Sequence, residues 1–293
     1  MKHYVLYIVF LLLETVYTPS TAHAQAFNYP NIPDSITERQ ERAKYLSMHF
    51  WDNTDMTDSM LFIAPKVVLD YIYLLHLLEP DIYTKSFENT ISLIYSPTSQ
   101  TELLFFWLNR YLHRISSPFY NDEMYLNFLD IALRFPMDTT VIAEIQSARE
   151  IASKNRIGQA ATDFSFYCKD ESERKMYDIE APLLLLMFNN PGCSRCRKAE
   201  QFITENDTIQ HLIEENKLKI LAISPDAEYE TWTQYNYPEK WLCGYDSKRN
   251  IIENKLYEIT SYPSIYLLDS NKHILFKEIE YKKIASVVLN LNQ

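Results

Sequence analysis

From about Asp34 to Ala152, apolar positions recur every three to four residues, the spacing of helices that bury one face. From Phe164 onward, short apolar runs alternate with such helical stretches. In the first region Ser35-x-x-Glu38 has the form of a capping box, and Ile36, Ala43, Leu46 and Phe50 follow at helical spacing. Pro65 suits the first turn of a second helix carrying Val67, Val68, Tyr71, Ile72, Leu74, Leu75 and Leu78, and Pro80 stops that run. Further helices are expected over about 82–95, 98–115, 122–135 and 139–153, with Pro97, Pro118 and Pro136 as punctuation, which makes roughly six helices with short joints. No fixed repeat period is present, so a true solenoid is not supported, and stacked helical hairpins remain open.

The later region reads as a mixed sheet. Phe164–Tyr167 and Met176–Ile179 are expected to form a hairpin, and Leu183–Asn189, apolar up to its last residue, reads as a strand buried on both faces. A helix from about Ser194, a strand at 218–223, a helix at 229–235, a short strand at 241–244 and a helix near 251–257 follow. Strands at 264–268 and 273–278 and a closing helix at 282–291 complete the pattern. This alternation predicts an all-helical domain followed by an α/β domain with a mixed central sheet covered by helices, the border falling near Arg156-Ile157-Gly158.

Composition narrows the function. The 293 residues are 47% hydrophobic and 14% aromatic, enough for two cores. The net charge of -11 offers no field to hold a polyanion, so nucleic acid is not an expected partner. With 3 glycines in all, Gly158, Gly192 and Gly244, the chain has no glycine-rich loop to cradle a phosphate, which excludes nucleotide chemistry of the Walker and dinucleotide types.

Residues 1–24 have a basic start, an apolar run from Tyr4 to Leu13 and then Ala22-His23-Ala24, the pattern of a cleaved signal peptide with Gln25 as the mature start. The run is too short for a bilayer span, and no cysteine beside the cleavage site is available for lipid attachment. An exported, periplasmic and soluble protein is expected, with a helical domain at 25–155 and a second domain at 156–293.

All four cysteines, Cys168, Cys193, Cys196 and Cys243, lie in the second domain. Cys193-Ser194-Arg195-Cys196 falls at the turn between the buried strand and the next helix. The first cysteine then meets the unpaired N–H groups and positive dipole end of that helix, which favour an anionic sulfur, and the second lies one turn inside within reach of it. Arg195, Arg197 and Lys198 add positive charge, weakened by solvent screening. Gly192 suits a turn with close backbone approach or positive φ, and Pro191 stiffens it. Far downstream, Tyr262-Pro263 precedes an apolar strand, a place where a cis bond would set the Tyr262 backbone opposite the cysteines.

These residues resemble the thioredoxin fold: strand, Cys-x-x-Cys, helix, and later x-Pro before a strand ending Leu267-Leu268-Asp269. Ala161-Thr162-Asp163-Phe164 and the insert before the proline strand are similar to the exported TlpA-like and ResA-like branch. The first domain, with Glu41-Arg42-Ala43-Lys44-Tyr45-Leu46, His49-Phe50-Trp51-Asp52, Ser117-Pro118-Phe119-Tyr120-Asn121-Asp122-Glu123 and Lys154-Asn155-Arg156-Ile157-Gly158, resembles a helical domain of unknown function that precedes thioredoxin domains in exported proteins of some Gram-negative bacteria. Two departures matter. Met187 stands where thioredoxin keeps a buried acid, and Ala199 stands where ResA-like proteins carry a glutamate, with Glu200 one residue further as a candidate proton relay.

The resemblance implies a thiol-disulfide oxidoreductase with Cys193 and Cys196 as its catalytic pair and Tyr262 and Pro263 aligning the substrate. It needs no metal, nucleotide or flavin. Envelope proteins bearing disulfides are the implied partners, and a membrane electron carrier would drive reduction. The alternative is a binding protein whose helical domain captures a peptide or envelope partner on a thioredoxin-like scaffold. A peroxidase ranks lower because the Pro-x-x-x-Thr-x-x-Cys approach is absent before Cys193. Zinc would need two more paired ligands, whereas Cys168 and Cys243 are singletons, either bonded to each other or buried separately. Phe105, Phe106, Trp107 and Tyr111 read as core of the helical domain.

Overall fold

A computed structural model describes residues 27–55, 64–94 and 99–291; the expected signal peptide and Gln25 lie outside them. The helical part contains α1 (Arg39–His49), α2 (Pro65–Leu75), α3 (Pro80–Ile94), α4 (Ser99–Leu108), a π turn (Asn109–His113), α5 (Asp122–Ala132) and α6 (Thr139–Ser153). Their inward faces build one core around Tyr71, Phe87, Leu104, Leu112, Tyr125 and Ile131. Phe105, Trp107 and Tyr111 pack against its border.

Local chemistry explains the helix ends. Pro65 occupies the first turn of α2 as expected. Asn121 and Asp138 cap α5 and α6 by accepting from the backbone N–H groups of Met124 and Thr140. The capping box at Ser35 does not form: Glu38 is itself the N-cap of α1, without a side-chain bond, because Ser35 lies in a turn closed by Ile36 N–H donating to the Pro33 carbonyl at 2.9 Å. The helix expected over 98–115 stops being α-helical at Leu108. Its π turn carries Leu112 and His113 into the interior, where His113 stacks on Tyr125 with ring centroids 4.9 Å apart.

The second part holds β1 (Ser165–Tyr167), β2 (Glu173–Lys175), β3 (Leu183–Phe188), α7 (Ser194–Glu205), α8 (Asp207–Glu214), β4 (Leu218–Ser224), α9 (Tyr229–Gln234), β5 (Leu242–Tyr245), α10 (Asn250–Glu253), β6 (Ser264–Asp269), β7 (Ile274–Phe276) and α11 (Ile284–Leu291). The seven strands run in the order β2-β1-β5-β4-β3-β6-β7. The β3/β4 and β4/β5 pairs are parallel, while β6 runs antiparallel to β3 and to β7. The hairpin closes earlier than expected: β1 pairs with Glu173–Lys175, and 176–178 forms a 3-10 turn that drops Met176 into the core. α8 is an additional helix, separated from α7 by Asn206, which caps it through Ile209 N–H.

Every residue of β3 is buried. Leu183, Leu185 and Met187 pack under α7, α8 and α11, and Leu184, Leu186 and Phe188 pack against Phe164, Phe166, Ile251 and Tyr257 on the other face. At roughly 1.5–3 kcal/mol for each large apolar side chain removed from water, this strand is the anchor of the domain. In β5, a Cβ on Gly244 would stand 2.3 Å from the Phe166 ring and 2.6 Å from Ile223, so the Phe166 ring of the neighbouring β1 can lie over β5 only at a glycine.

The two parts meet through polar contacts. After α6, Gly158 at φ +80° turns the chain onto β7, its N–H donating to the Ile274 carbonyl at 2.7 Å. Asn155 Nδ2 donates to the Leu256 carbonyl at 2.7 Å. Between them His113, only 8% exposed, donates to Asp122 Oδ1 at 3.0 Å and to Glu258 Oε2 at 2.9 Å, and Lys277 Nζ meets Asp122 Oδ2 at 2.6 Å. Burial alone disfavours the imidazolium, but the bonds to Asp122 and Glu258 outweigh it and lift the His113 pKa from 6.5 to about 9. Burial likewise opposes the Asp122 charge, and the His113 and Lys277 contacts hold that carboxyl below its ordinary range.

Two outcomes are expected. Gly244→Ala should destabilise the protein by about 1–3 kcal/mol in urea unfolding, from overpacking against Phe166. His113 binds more protons folded than unfolded, so its contribution is fully present below pH 6.5 and is lost as pH rises through about 9. Asp122 contributes in the opposite sense, its share present above its ordinary 3.8 and lost as pH falls. Calorimetry should therefore show a Tm decline from pH 6 to 9 that is smaller in His113→Asn than in the wild type.

Candidate active site

The C-terminal ends of β3 and β4 and the N-terminus of α7 converge on the cysteine pair. Cys193 is the N-cap of α7, and its sulfur accepts from the Cys196 N–H at 3.1 Å. The turn before it is closed by Cys193 N–H donating to the Asn190 carbonyl and Gly192 N–H donating to Asn190 Oδ1, both at 2.9 Å. Gly192 is not required by positive φ or close approach, since a Cβ there would meet only Asn190 Oδ1, at 3.4 Å. The Asn190 amide does the work assigned to the glycine.

Cys193 is half-buried and Cys196 is 1% exposed. Burial first, then the contact with Cys193, pushes the Cys196 thiol up to about 12. The Tyr262–Pro263 bond is cis, and Cys193 Sγ–H donates to the Tyr262 carbonyl at 3.6 Å. Asp226 lies against both sides of this mouth, accepting from Asn190 Nδ2 at 3.5 Å and from the Tyr262 hydroxyl. The structure thus brings Cys193, Cys196, Tyr262 and Pro263 together.

Glu200 reaches the same region from one turn further along α7. Only 8% exposed, it accepts from Asn189 Nδ2 at 3.3 Å and from the Tyr235 hydroxyl at 2.5 Å. Burial raises its pKa, against the lowering effect of those two bonds and of Arg197. Asn189 in turn accepts from Ser224 Oγ at 3.2 Å and from the Tyr237 hydroxyl at 3.3 Å. Met187, at the position of the thioredoxin acid, is fully buried in apolar surroundings, so the carboxylate behind Cys196 comes from the covering helix and not from the sheet.

Asn189, Ser224, Tyr235 and Tyr237 were not singled out from the sequence. The available signal was a polar residue ending each of two apolar parallel strands, Asn189 after β3 and Ser224 in β4, the end of a sheet where α/β sites form. Cys168 and Cys243 are free thiols. Cys168 packs on the hairpin side of the sheet and Cys243 on the α7 side, where burial lifts its thiol to about 12. Among the described residues no cluster of three or more His, Cys, Asp or Glu is placed to hold a metal, and no helix is long and apolar enough to cross a membrane.

A mixed sheet of this order between two covering layers, with the strand–turn–helix and the x-Pro loop at one end, defines the thioredoxin-like class. The chain belongs to that class, and on its N-terminal side it carries a domain matching the family described as Domain of unknown function (DUF5106), over residues 13–155. It is similar along most of its length to a thioredoxin-like protein from Bacteroides caccae ATCC 43185, at 28% identity, covering 92% of this chain and 99% of that one with a TM-score of 0.74. The C-terminal domain of an uncharacterized protein from Bacteroides fragilis NCTC 9343 is 31% identical, covering 47% of this chain and 99% of that one, with a TM-score of 0.46. The thioredoxin domain of a thiol-disulfide oxidoreductase from Bacteroides vulgatus is 20% identical, covering 47% and 99%, with a TM-score of 0.41. No curated protein matches the chain.

The unequal burial of the two sulfurs predicts their order of modification. In the native protein iodoacetamide should label Cys193 well before Cys196, and both should react in denaturant, as read by peptide mass mapping. Equal native labelling would contradict the described geometry.

Proposed function

We propose that this protein is an exported thiol-disulfide oxidoreductase acting on disulfides of envelope proteins. The observation that carries the reading is the half-buried Cys193 sulfur, set between the Cys196 N–H and the Tyr262 carbonyl, with a buried second thiol directly behind it.

The Cys193 thiolate attacks one sulfur of the substrate disulfide. The substrate S–S bond breaks, a Cys193–substrate mixed disulfide forms, and the first substrate thiolate leaves and takes a proton from water. Cys196 then loses its proton toward Glu200 and attacks the Cys193 sulfur, expelling the second substrate thiolate and leaving a Cys193–Cys196 disulfide. Two electrons have passed from the protein to the substrate. The Cys196 N–H steadies the Cys193 thiolate before it attacks, and Glu200, desolvated and with its pKa raised by burial, is the group that takes up the proton. The substrate backbone pairs with the Tyr262 segment beside Pro263, an edge-addition mode of recognition. A membrane dithiol carrier returns the electrons when the protein reduces, and an acceptor removes them when it oxidises.

Insulin disulfide reduction with dithiothreitol tests the reading: wild-type protein should accelerate turbidity, and Cys193→Ser should fall to the uncatalysed rate. Equal rates for both would leave the alternative of a binding protein on a thioredoxin-like scaffold. Cys196→Ser should accumulate mixed disulfides through Cys193, and mass spectrometry of the captured chains would name the clients.

A further inference from the structure

The segment 257–263, between α10 and β6, carries the Tyr262 carbonyl that faces the nucleophilic sulfur. The leading end of this loop is tied to the helical domain directly by charge, and the trailing end indirectly, through β7. At the leading end His113 Nε2 donates to Glu258 Oε2 at 2.9 Å. At the trailing end Ser264 Oγ donates to Glu278 Oε1 at 2.6 Å, and the adjacent Lys277 is anchored on Asp122 at 2.6 Å. Asp122 also accepts from His113 Nδ1, so a single buried imidazolium–carboxylate pair reaches both ends. Tyr120 donates to the same Asp122 oxygen as Lys277, and Asn121 caps α5 immediately beside it, which fixes the pair on its own domain.

One side of this loop packs on the sheet, through Tyr257, Ile259 and Tyr262. A cavity of about 230 Å³ lies between it and the helical domain, lined by His113, Glu258, Thr260, Lys277 and Glu278 among others. On the side bordering open space the segment is positioned by polar ties, because the close contacts that rigidify a core are missing there. Within its own domain the loop is tied by the Tyr257 hydroxyl donating to the Thr162 carbonyl at 2.7 Å and the Tyr266 hydroxyl donating to the Glu258 carbonyl at 3.4 Å; on the cavity side the tie is His113 to Glu258, from the helical domain.

We infer that His113 and Asp122 are positioning residues for the thiol site, holding the 257–263 loop through Glu258 and through Lys277 beside Glu278, so that the helical domain sets how the Tyr262 backbone receives a substrate strand. This rests on the function proposed above. The helical domain then acts as a clamp on docking and takes no part in the thiol chemistry itself. Loss of the clamp frees the loop, weakens substrate alignment, and leaves the sulfur exchange intact once the strand is bound.

The test uses the full-length protein with insulin as the disulfide substrate, comparing wild type, Glu258→Gln, His113→Asn and the double variant. Glu258 has a side chain 42% exposed, so its amide replacement keeps the fold while discharging the contact. Each single variant should raise KM about tenfold while kcat stays within about twofold, the signature of lost alignment without lost chemistry. The double variant should be no worse than the worse single one, since both changes remove one contact. Circular dichroism and Tm report whether each variant is folded at the assay temperature. Cys193 alkylation by iodoacetamide is a second readout that needs no turnover: it should change at least about threefold in Glu258→Gln, because the Tyr262 carbonyl touches that sulfur. Unchanged KM and unchanged alkylation in folded variants would overturn the clamp and leave the oxidoreductase standing. Absence of Cys193-dependent turnover in the wild type would sink the oxidoreductase instead, and the alkylation rate alone would then decide whether the loop is held.

Discussion

The structure depends on one constraint: β3 has no polar face. A strand apolar at every position has to be covered on both sides, and this demand calls up α7, α8 and α11 on one side and the hairpin, α10 and Tyr257 on the other. Polar groups can then appear only where β3 ends. Asn189 and the Asn190 turn fall there, and the N-terminus of α7 follows with its unpaired N–H groups. The cysteine pair occupies the first place along this chain segment where water, helix dipole and a neighbouring backbone carbonyl meet.

Much of this was legible because it depends on local patterns. Prolines marked several helix ends, the unbroken apolar run marked β3, and Cys-x-x-Cys directly after it marked the turn. Features set by distant partners were hidden. The π turn at Asn109–His113 exists where His113 is drawn between Asp122 and Glu258, the latter in another domain, and no helical periodicity announces that. The Ser35 box failed because Ser35 sits in a turn ahead of the helix, and Met176 left the hairpin because its side chain had a core to enter. Glu200 could be named from its spacing. Its partners Asn189, Tyr235 and, through Asn189, Ser224 and Tyr237 could not, since they come from three separate segments.

The junction between domains is polar where most cores are apolar. Charges this buried are expensive to separate, because removing one partner leaves another desolvated and uncompensated. Such a joint favours one relative placement of its parts and tolerates little sliding, whereas an oily surface would accept several. The adjoining cavity shows that complementarity of shape is incomplete on the side facing 257–263, so orientation there is set by hydrogen-bond geometry.

The buried carboxylate hangs on α7, above a methionine, and not on the strand beneath. An acid on the central strand would point its side chain into a closed apolar layer, where exchanging it alters the packing beneath the site. One carried by an outer layer is modular: it hangs on a covering helix and on a tyrosine from a separate segment, and the apolar strand below has no polar group that depends on it.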